Sequence, residues 1–348
     1  MTKRVVLIGH PVAHSLSGAM QQAALDAAGI DARYELWDRA PIALPAAIAE
    51  LRDDAFLGAN LTIPHKERAV PLVDRLTEEA QATGAVNTIT REGHRLVGHN
   101  TDVAGFDVAL DKLVGRQKMP RQAVVLGAGG GARAVTYGLI RAGFQRVVVF
   151  NRHLHRAEAM VRHFSRSAAH MELKAMPWHP SIIESELARA KVLINATSIG
   201  LAGDASPVPA GILPPDLLVL DLIYDRTPFL RDAAAAGDTV MDGQLMLLHQ
   251  GAAAFTLWTG QEAPLEVMAQ ALAEARAGGL RSAEGEPAAD DLPSGETPPT
   301  DPPAVEAGSA AAPGGETPGG ETPRGETPRG EAPAGDAVAT TAGVGTSG

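Results

Sequence analysis

Apolar positions along the first hundred or so residues fall into short unbroken runs separated by longer stretches of helical spacing. The runs fit strands buried on both faces, and the longer stretches fit amphipathic helices. Strands are predicted over residues 4–8, 33–37 and 56–61, and helices over 17–28, 42–51 and 66–74. Ser15 and Ser17 stand where helix caps are expected. Residues 86–90 and 95–99 read as a hairpin across Arg91-Glu92-Gly93-His94. A helix over 103–113 is placed to cross into a second unit of the same kind. That unit has strands at 123–126, 146–150, 192–194 and 217–220, and helices at 131–141, 154–164, 182–188 and 228–236. Regular alternation of strand and helix argues an α/β fold with a mostly parallel sheet. Two long helical stretches, 244–258 and 265–277, have no strand after them. They are expected to pack back on the first domain, which becomes discontinuous: 1–102 with 243–278, interrupted by 103–242.

The periodicity stops at about Ala283. Beyond it the chain is Gly, Pro, Ala, Glu and Thr, with the near-repeat GGETP, GGETP, RGETP, RGEAP from Gly314 to Pro333. Such a composition cannot bury enough apolar surface to offset chain entropy, so 283–348 reads as a disordered low-complexity tail. The tail also explains the charge. The chain of 348 residues carries a formal net charge of -11. The tail alone holds 12 acidic residues and 2 arginines, which leaves 29 acids and 28 bases in the rest. The body is close to neutral and lacks the basic excess of a nucleic-acid binder. There are no cysteines, so disulfides, thiolate metal sites and cysteine nucleophiles are excluded. The run Val5 to Ile8 after Lys3-Arg4 is too short for a signal peptide, and no apolar run approaches the ~18 residues of a membrane span. A soluble cytoplasmic protein is expected, without nucleic-acid or membrane partners.

Three local features carry chemistry. Ala123 to Leu126 runs into Gly127-Ala128-Gly129-Gly130-Gly131-Ala132 and then a helical pattern. Glycines there permit a tight turn and close approach of backbone to a pyrophosphate, and the helix N-terminus offers free N–H groups. The next strand ends in Asn151-Arg152, with Arg156 one helical turn on. A carboxylate at this place would hold a ribose 2′-hydroxyl, whereas two guanidiniums can clamp a 2′-phosphate, so NADP is favoured over NAD. The third feature is Lys66, delivered after a Pro-His turn, with Asp102 starting the following helical pattern. A lysine is a cation at neutral pH, and a neighbouring carboxylate favours that form. His153 and His155, two apart on a predicted helix, would point to different faces, and His10 and His14 lie in a loop. Neither pair has an accompanying carboxylate cluster, so no metal site is expected. Trp37, Trp178 and Trp258 are read as packing residues.

The segments HSLSGAM (14–20), GANLTIPHKE (58–67), GAVNTI (84–89), NTDVAGF (100–106), GAGGGARA (127–134), NATSIGL (195–201) and DGQLMLLHQGAAAF (242–255) stand in the order found in shikimate dehydrogenases, and over residues 4–277 the chain resembles that family. The resemblance implies an N-terminal substrate domain, a Rossmann-type NADP domain, and reversible NADPH-dependent reduction of 3-dehydroshikimate to shikimate in the cleft between them. It implies that Lys66 and Asp102 are the acid/base pair. Ser15 and Ser17 would hold the substrate carboxylate with Tyr224 reaching it from the other side, and Thr62, Asn87 and Gln250 would bond the ring hydroxyls. Gly127, Ala128, Gly129, Gly130, Gly131, Asn151, Arg152, Arg156, Leu222 and Gly243 would hold the coenzyme, with Glu78 near it. A homodimer is compatible with this picture. The chain departs from the family pattern at Gly18, where a proline is usual, at His153 in place of threonine, and at Leu245 in place of glycine. A quinate/shikimate dehydrogenase using NAD stays open, because no residue plainly excludes the extra hydroxyl of quinate. So does a metabolite-binding module without turnover, although such a module has no physical need for the Lys66/Asp102 pair.

Overall fold

The computed structural model describes residues 2–118, 120–201 and 203–285; the tail from residue 286 onward lies outside them. The first part of the chain runs β1 (Lys3–Gly9), α1 (Ser17–Ala27), β2 (Ala32–Asp38), α2 (Leu44–Glu50), β3 (Phe56–Leu61), β4 (Arg75–Leu76), α3 (Glu78–Thr83), β5 (Thr88–Glu92) and β6 (Arg95–His99). These strands form one sheet in the order β2-β1-β3-β5-β6-β4. Pairings are parallel from β2 to β3 and between β4 and β6, and antiparallel where β5 joins β3 and β6. The antiparallel hairpin lets the chain reverse and bring Asn87 and Thr88 beside the end of β3.

Helix α4 (Asp102–Val114) leads to β7 (Gln122–Leu126), α5 (Gly130–Arg141), β8 (Arg146–Asn151), α6 (Leu154–Phe164), β9 (Glu172–Pro177), α7 (Pro180–Leu187), β10 (Val192–Asn195), β11 (Leu218–Asp221), α8 (Pro228–Ala235) and β12 (Thr239–Met241). The second sheet is parallel throughout, in the order β12-β11-β10-β7-β8-β9. The order reverses between β7 and β10. Doubly wound sheets of this type bind ligands at that switch point, beyond the carboxyl ends of the strands. The central strands are almost wholly apolar and buried, as strands covered by helices on both faces must be.

The chain closes with α9 (Gln244–Thr259) and α10 (Leu265–Gly285). Phe255, Trp258, Met268 and Leu272 join Val5, Leu7, Met20 and Leu25 in one apolar cluster, so both helices lie on the first sheet. Trp37 and Trp258 are buried packing residues. Helices α4 and α9 meet closely at Gly105, where an added Cβ would stand 2.5 Å from the Met246 carbonyl oxygen.

Several expectations need correction. No α-helix covers 66–74. A single turn, with Ala69 N–H on the His65 carbonyl at 3.0 Å, is followed by a short 3-10 turn at Val70–Leu72 and then β4. Pro71 explains the interruption, since it supplies no N–H and its ring crowds the preceding turn. The N-cap of α1 is Leu16, with no side-chain cap bond; Ser15 Oγ instead accepts the Ser17 amide at 3.3 Å, and Ser17 is the first helical residue. The last helix runs beyond residue 277, to Gly285.

Candidate active site

Strand β3 ends at Leu61, and the turn after it carries Lys66. The Lys66 carbonyl accepts the Val86 amide at 2.8 Å, which pins its backbone to the segment leading into β5. Its ammonium meets Asp102, the first residue of α4, with Nζ 2.6 Å from Oδ2. The Lys66 side chain keeps 18% of its surface exposed and the Asp102 side chain 5%. The ammonium can therefore exchange protons with its surroundings while the carboxylate is held dry. The other carboxylate oxygen, Oδ1, accepts from Asn87 Nδ2 at 2.9 Å.

Asn87 is the centre of this group. Its Nδ2 also lies 2.8 Å from Thr101 Oγ1 and 3.2 Å from Gln250 Oε1, and its Oδ1 accepts the Thr101 amide at 2.7 Å. An amide has two hydrogens for these three acceptors. Gln250 Oε1, the farthest, is the acceptor with the most capacity left. Behind Asn87 a buried polar ladder crosses the sheet. Tyr34 donates to Asn60 Oδ1 at 2.8 Å, Asn60 Nδ2 donates to Thr88 Oγ1 at 3.0 Å, and Thr88 Oγ1 lies 3.1 Å from Thr101 Oγ1. Satisfied networks of this kind rigidify what they touch, and here they fix the start of α4 and so the direction of Asp102.

The glycine-rich turn lies directly across from Lys66. Gly127 has φ +112°, a region that favours glycine, and a Cβ there would stand 2.7 Å from the Ala196 carbonyl oxygen. Gly129 caps α5 with no side-chain bond, and a Cβ added to it would meet nothing within 4 Å. At Gly130 the same construction ends 2.6 Å from Lys66 Cβ, so the lysine stem rests on the first turn of α5. Leu222 sits between Gly131 and Gly243: its Cδ1 is 3.2 Å from a Cβ built on the former, and its carbonyl oxygen 2.2 Å from one built on the latter. Open space over uncapped helix N–H groups, walled by Leu222, fits a dinucleotide. Beyond β8, Asn151 Nδ2 donates to the His153 carbonyl at 2.9 Å. Arg152 is exposed and has no ion pair among the described residues. Arg156 is engaged by Glu67, with Nη2 2.9 Å from Oε1.

Tyr224 reaches the turn before α1. Burial pushes its phenol above the ordinary tyrosine value, and the Leu16 backbone N–H beside the phenol oxygen opposes that rise. The ring thus comes to the residue between Ser15 and Ser17. The end of β11 is set by Asp221, fully buried, which accepts Asn195 Nδ2 at 2.9 Å, Ile223 N–H at 3.1 Å and Thr227 Oγ1 at 2.8 Å. Burial pushes the Asp221 carboxyl up to about 6 despite these donors. A raised folded value means the native state holds a proton that the unfolded chain has released. The associated stability is full below the ordinary carboxylate value and is lost as pH rises through about 6. Asp221→Asn should therefore gain on wild type by on the order of 2 kcal/mol as pH rises from about 4 to about 7. Denaturant midpoints at both pH values check this, and a pH-independent difference contradicts it.

The structure thus gathers Lys66, Asn87, Asp102 and Gln250 into one hydrogen-bonded group and sets Gly130 against it. Thr62 stands at the end of β3, its amide on the Ile8 carbonyl at 3.0 Å. Glu78 is exposed at the start of α3, whereas the opposite end of that helix touches α5 and α6, through Arg133 on the Thr83 carbonyl and His163 on the Ala82 carbonyl. His153 is the N-cap of α6 and not part of it, so its ring comes within 5.8 Å of the His155 ring. The expectation that the two point to different faces does not hold. Among the described residues no group of three or more His, Cys, Asp or Glu side chains is placed to hold a metal ion, and no helix is long and apolar enough to cross a membrane. Sequence reasoning missed Tyr34, Asn60 and Thr101 behind the pair, and Glu67 and Arg133 beside it.

A parallel sheet with a glycine turn at its switch point, facing a lysine–carboxylate pair carried by the turn after β3 and the start of α4, defines a dinucleotide-dependent oxidoreductase built on two α/β sheets. Comparison with known proteins narrows this. Residues 7–89 match the family model described as Shikimate dehydrogenase substrate binding domain, residues 110–200 that of Shikimate / quinate 5-dehydrogenase, and residues 245–273 that of Shikimate 5'-dehydrogenase C-terminal domain. A shikimate dehydrogenase (NADP(+)) of Thermus thermophilus is 45% identical over 261 residues, covering 74% of this chain and 92% of the relative. The crystal structure of a shikimate 5-dehydrogenase from Thermus thermophilus in complex with NADP(H) and shikimate superposes with a TM-score of 0.68 at 41% identity, covering 78% of this chain and 99% of that one. Quinate dehydrogenase from Corynebacterium glutamicum in complex with NAD gives a TM-score of 0.69 at 30% identity, with coverage of 78% and 99%. The chain belongs to the shikimate dehydrogenase family.

Proposed function

We propose that this protein catalyses the reversible NADPH-dependent reduction of 3-dehydroshikimate to shikimate, a step of aromatic amino-acid biosynthesis, with Lys66 and Asp102 as its acid/base pair. The observation that carries the roles is the Lys66–Asp102 contact of 2.6 Å, set against Gly130 of the nucleotide turn. In this reading residues 1–102 and 243–278 form the substrate domain and 103–242 the coenzyme domain, in line with the two sheets and with the packing of α9 and α10. The coenzyme, when bound, supplies the hydride. Lys66 gives the proton that the carbonyl oxygen needs as the hydride arrives at carbon, so ketone, hydride and proton become a secondary alcohol. Asp102 holds the ammonium in place, and Asn87 holds Asp102. Gln250 has acceptor capacity to spare for a ring hydroxyl. Ser15 and Ser17, at the turn before α1 that Tyr224 reaches, supply hydroxyls suited to a carboxylate, and Thr62 stands beside Gly9, where β1 leads into that turn. Gly127 to Gly131, Leu222 and Gly243 shape the coenzyme cradle, and Asn151, Arg152 and Arg156 face its 2′-phosphate.

Purified protein should reduce NADP+ with shikimate much faster than with quinate, and faster than it reduces NAD+. A preference for quinate with NAD+ would move it to the other branch of the family. Shikimate binding without turnover would make it a binding module.

A further inference from the structure

We propose that Glu67 determines coenzyme specificity: it is an internal anion seated on Arg156, which a 2′-phosphate must take over and a 2′-hydroxyl leaves in place. The inference rests on the NADP reading above and extends it to a residue that contacts neither substrate nor hydride. Glu67 directly follows Lys66, on the substrate side of the cleft. Its carboxylate spans two helices of the second sheet, with Oε1 2.9 Å from Arg156 Nη2 on α6 and Oε2 3.2 Å from Arg133 Nε on α5.

The two arginines are not equivalent. Arg133 keeps 11% of its side-chain surface exposed and has a second partner, the Thr83 carbonyl at 3.0 Å. Arg156 is 46% exposed, and Glu67 is its ion-pair partner among the described residues. Arg156 is the arginine that can turn away to an arriving phosphate, while Glu67 stays anchored on Arg133. A phosphate dianion beside a carboxylate that still faces Arg156 is repelled, so part of the attraction between phosphate and guanidinium is lost in displacing or tolerating Glu67. A coenzyme with a plain 2′-hydroxyl makes no such demand. Glu67 therefore weakens NADP binding selectively and narrows the gap between the two coenzymes. It also places the competition one residue from the catalytic lysine, so the 2′-phosphate subsite and the substrate side of the cleft share one backbone segment.

Glu67→Gln removes the charge and keeps an oxygen acceptor for Arg133. Titration calorimetry on the full chain, with NADP+, NAD+, 2′,5′-ADP and 5′-AMP as probes, should show NADP+ and 2′,5′-ADP binding roughly three- to tenfold tighter in the variant. NAD+ and 5′-AMP should stay within about twofold of wild type. Glu67→Ala, measured alongside, should show the same preference. The gain should vanish in Glu67→Gln combined with Arg156→Ala. Unchanged NADP+ affinity, an equal gain for both coenzymes, or a gain that survives loss of Arg156 overturns the inference and leaves the coenzyme reading intact. A wild-type protein that binds neither NADP+ nor 2′,5′-ADP overturns both.

Discussion

Replacing Lys66 with alanine should lower kcat for 3-dehydroshikimate reduction by about 10²–10⁴-fold, the usual contribution of a positioned proton donor. The loss should fall on kcat and kcat/KM alike, because the proton is needed in the transition state and not to hold the ground state. Coenzyme affinity should change little. Stability should fall, since Asp102 is 5% exposed at its side chain and, among the described residues, would keep only Asn87 as a side-chain partner for its charge. Rescue separates the chemical from the structural loss. The lysine stem lies on Gly130, so its removal opens a slot beside the carboxylate. Small alkylammonium ions that enter it should restore rate in proportion to their concentration. Near wild-type kcat in a folded Lys66→Ala protein would remove Lys66 from the mechanism.

Asp102→Asn is the second large effect. The variant keeps the shape and can still accept from Asn87, but Lys66 loses the anion that fixes its ammonium. A loss of roughly 10²-fold in kcat/KM is expected, most of it in kcat. Combining the variant with Lys66→Ala should cost little more than Lys66→Ala alone, as residues acting as a unit are strongly non-additive. Additive losses in a four-way kinetic comparison would show that the carboxylate and the lysine act separately.

Much of the framework was legible in the sequence, because buried parallel strands announce themselves. Val147, Val148, Val149 and Phe150 form an unbroken apolar run, and so do Val192, Leu193 and Ile194. The glycine turn was legible for a similar reason, since its position between strand and helix leaves little other use for so many glycines. What escaped were weak or non-local signals. Strand β9, ELKAMP, is a half-buried edge strand with no clean alternation, and β12 is three residues long. The segment after Lys66 has helical spacing, yet Pro71 denies it a helix. Glu67 and Arg156 stand 89 positions apart, and no local pattern joins them. Arg156 therefore looked like a bare phosphate clamp, whereas in the folded chain it is already paired. The polar ladder from Tyr34 to Thr101 was hidden likewise, because its residues come from β2, β3, β5 and the cap of α4.

The central claim is that Lys66, fixed by Asp102, delivers the proton to the oxygen on the carbon that exchanges hydride with the coenzyme. The most direct test is a crystal structure of the full chain with shikimate and NADP+ bound. Lys66 Nζ should then lie within about 3 Å of the hydroxyl oxygen on the carbon that faces the nicotinamide, with Asp102 still on the lysine. That hydroxyl held by other groups, with Lys66 out of hydrogen-bond reach, would contradict the claim.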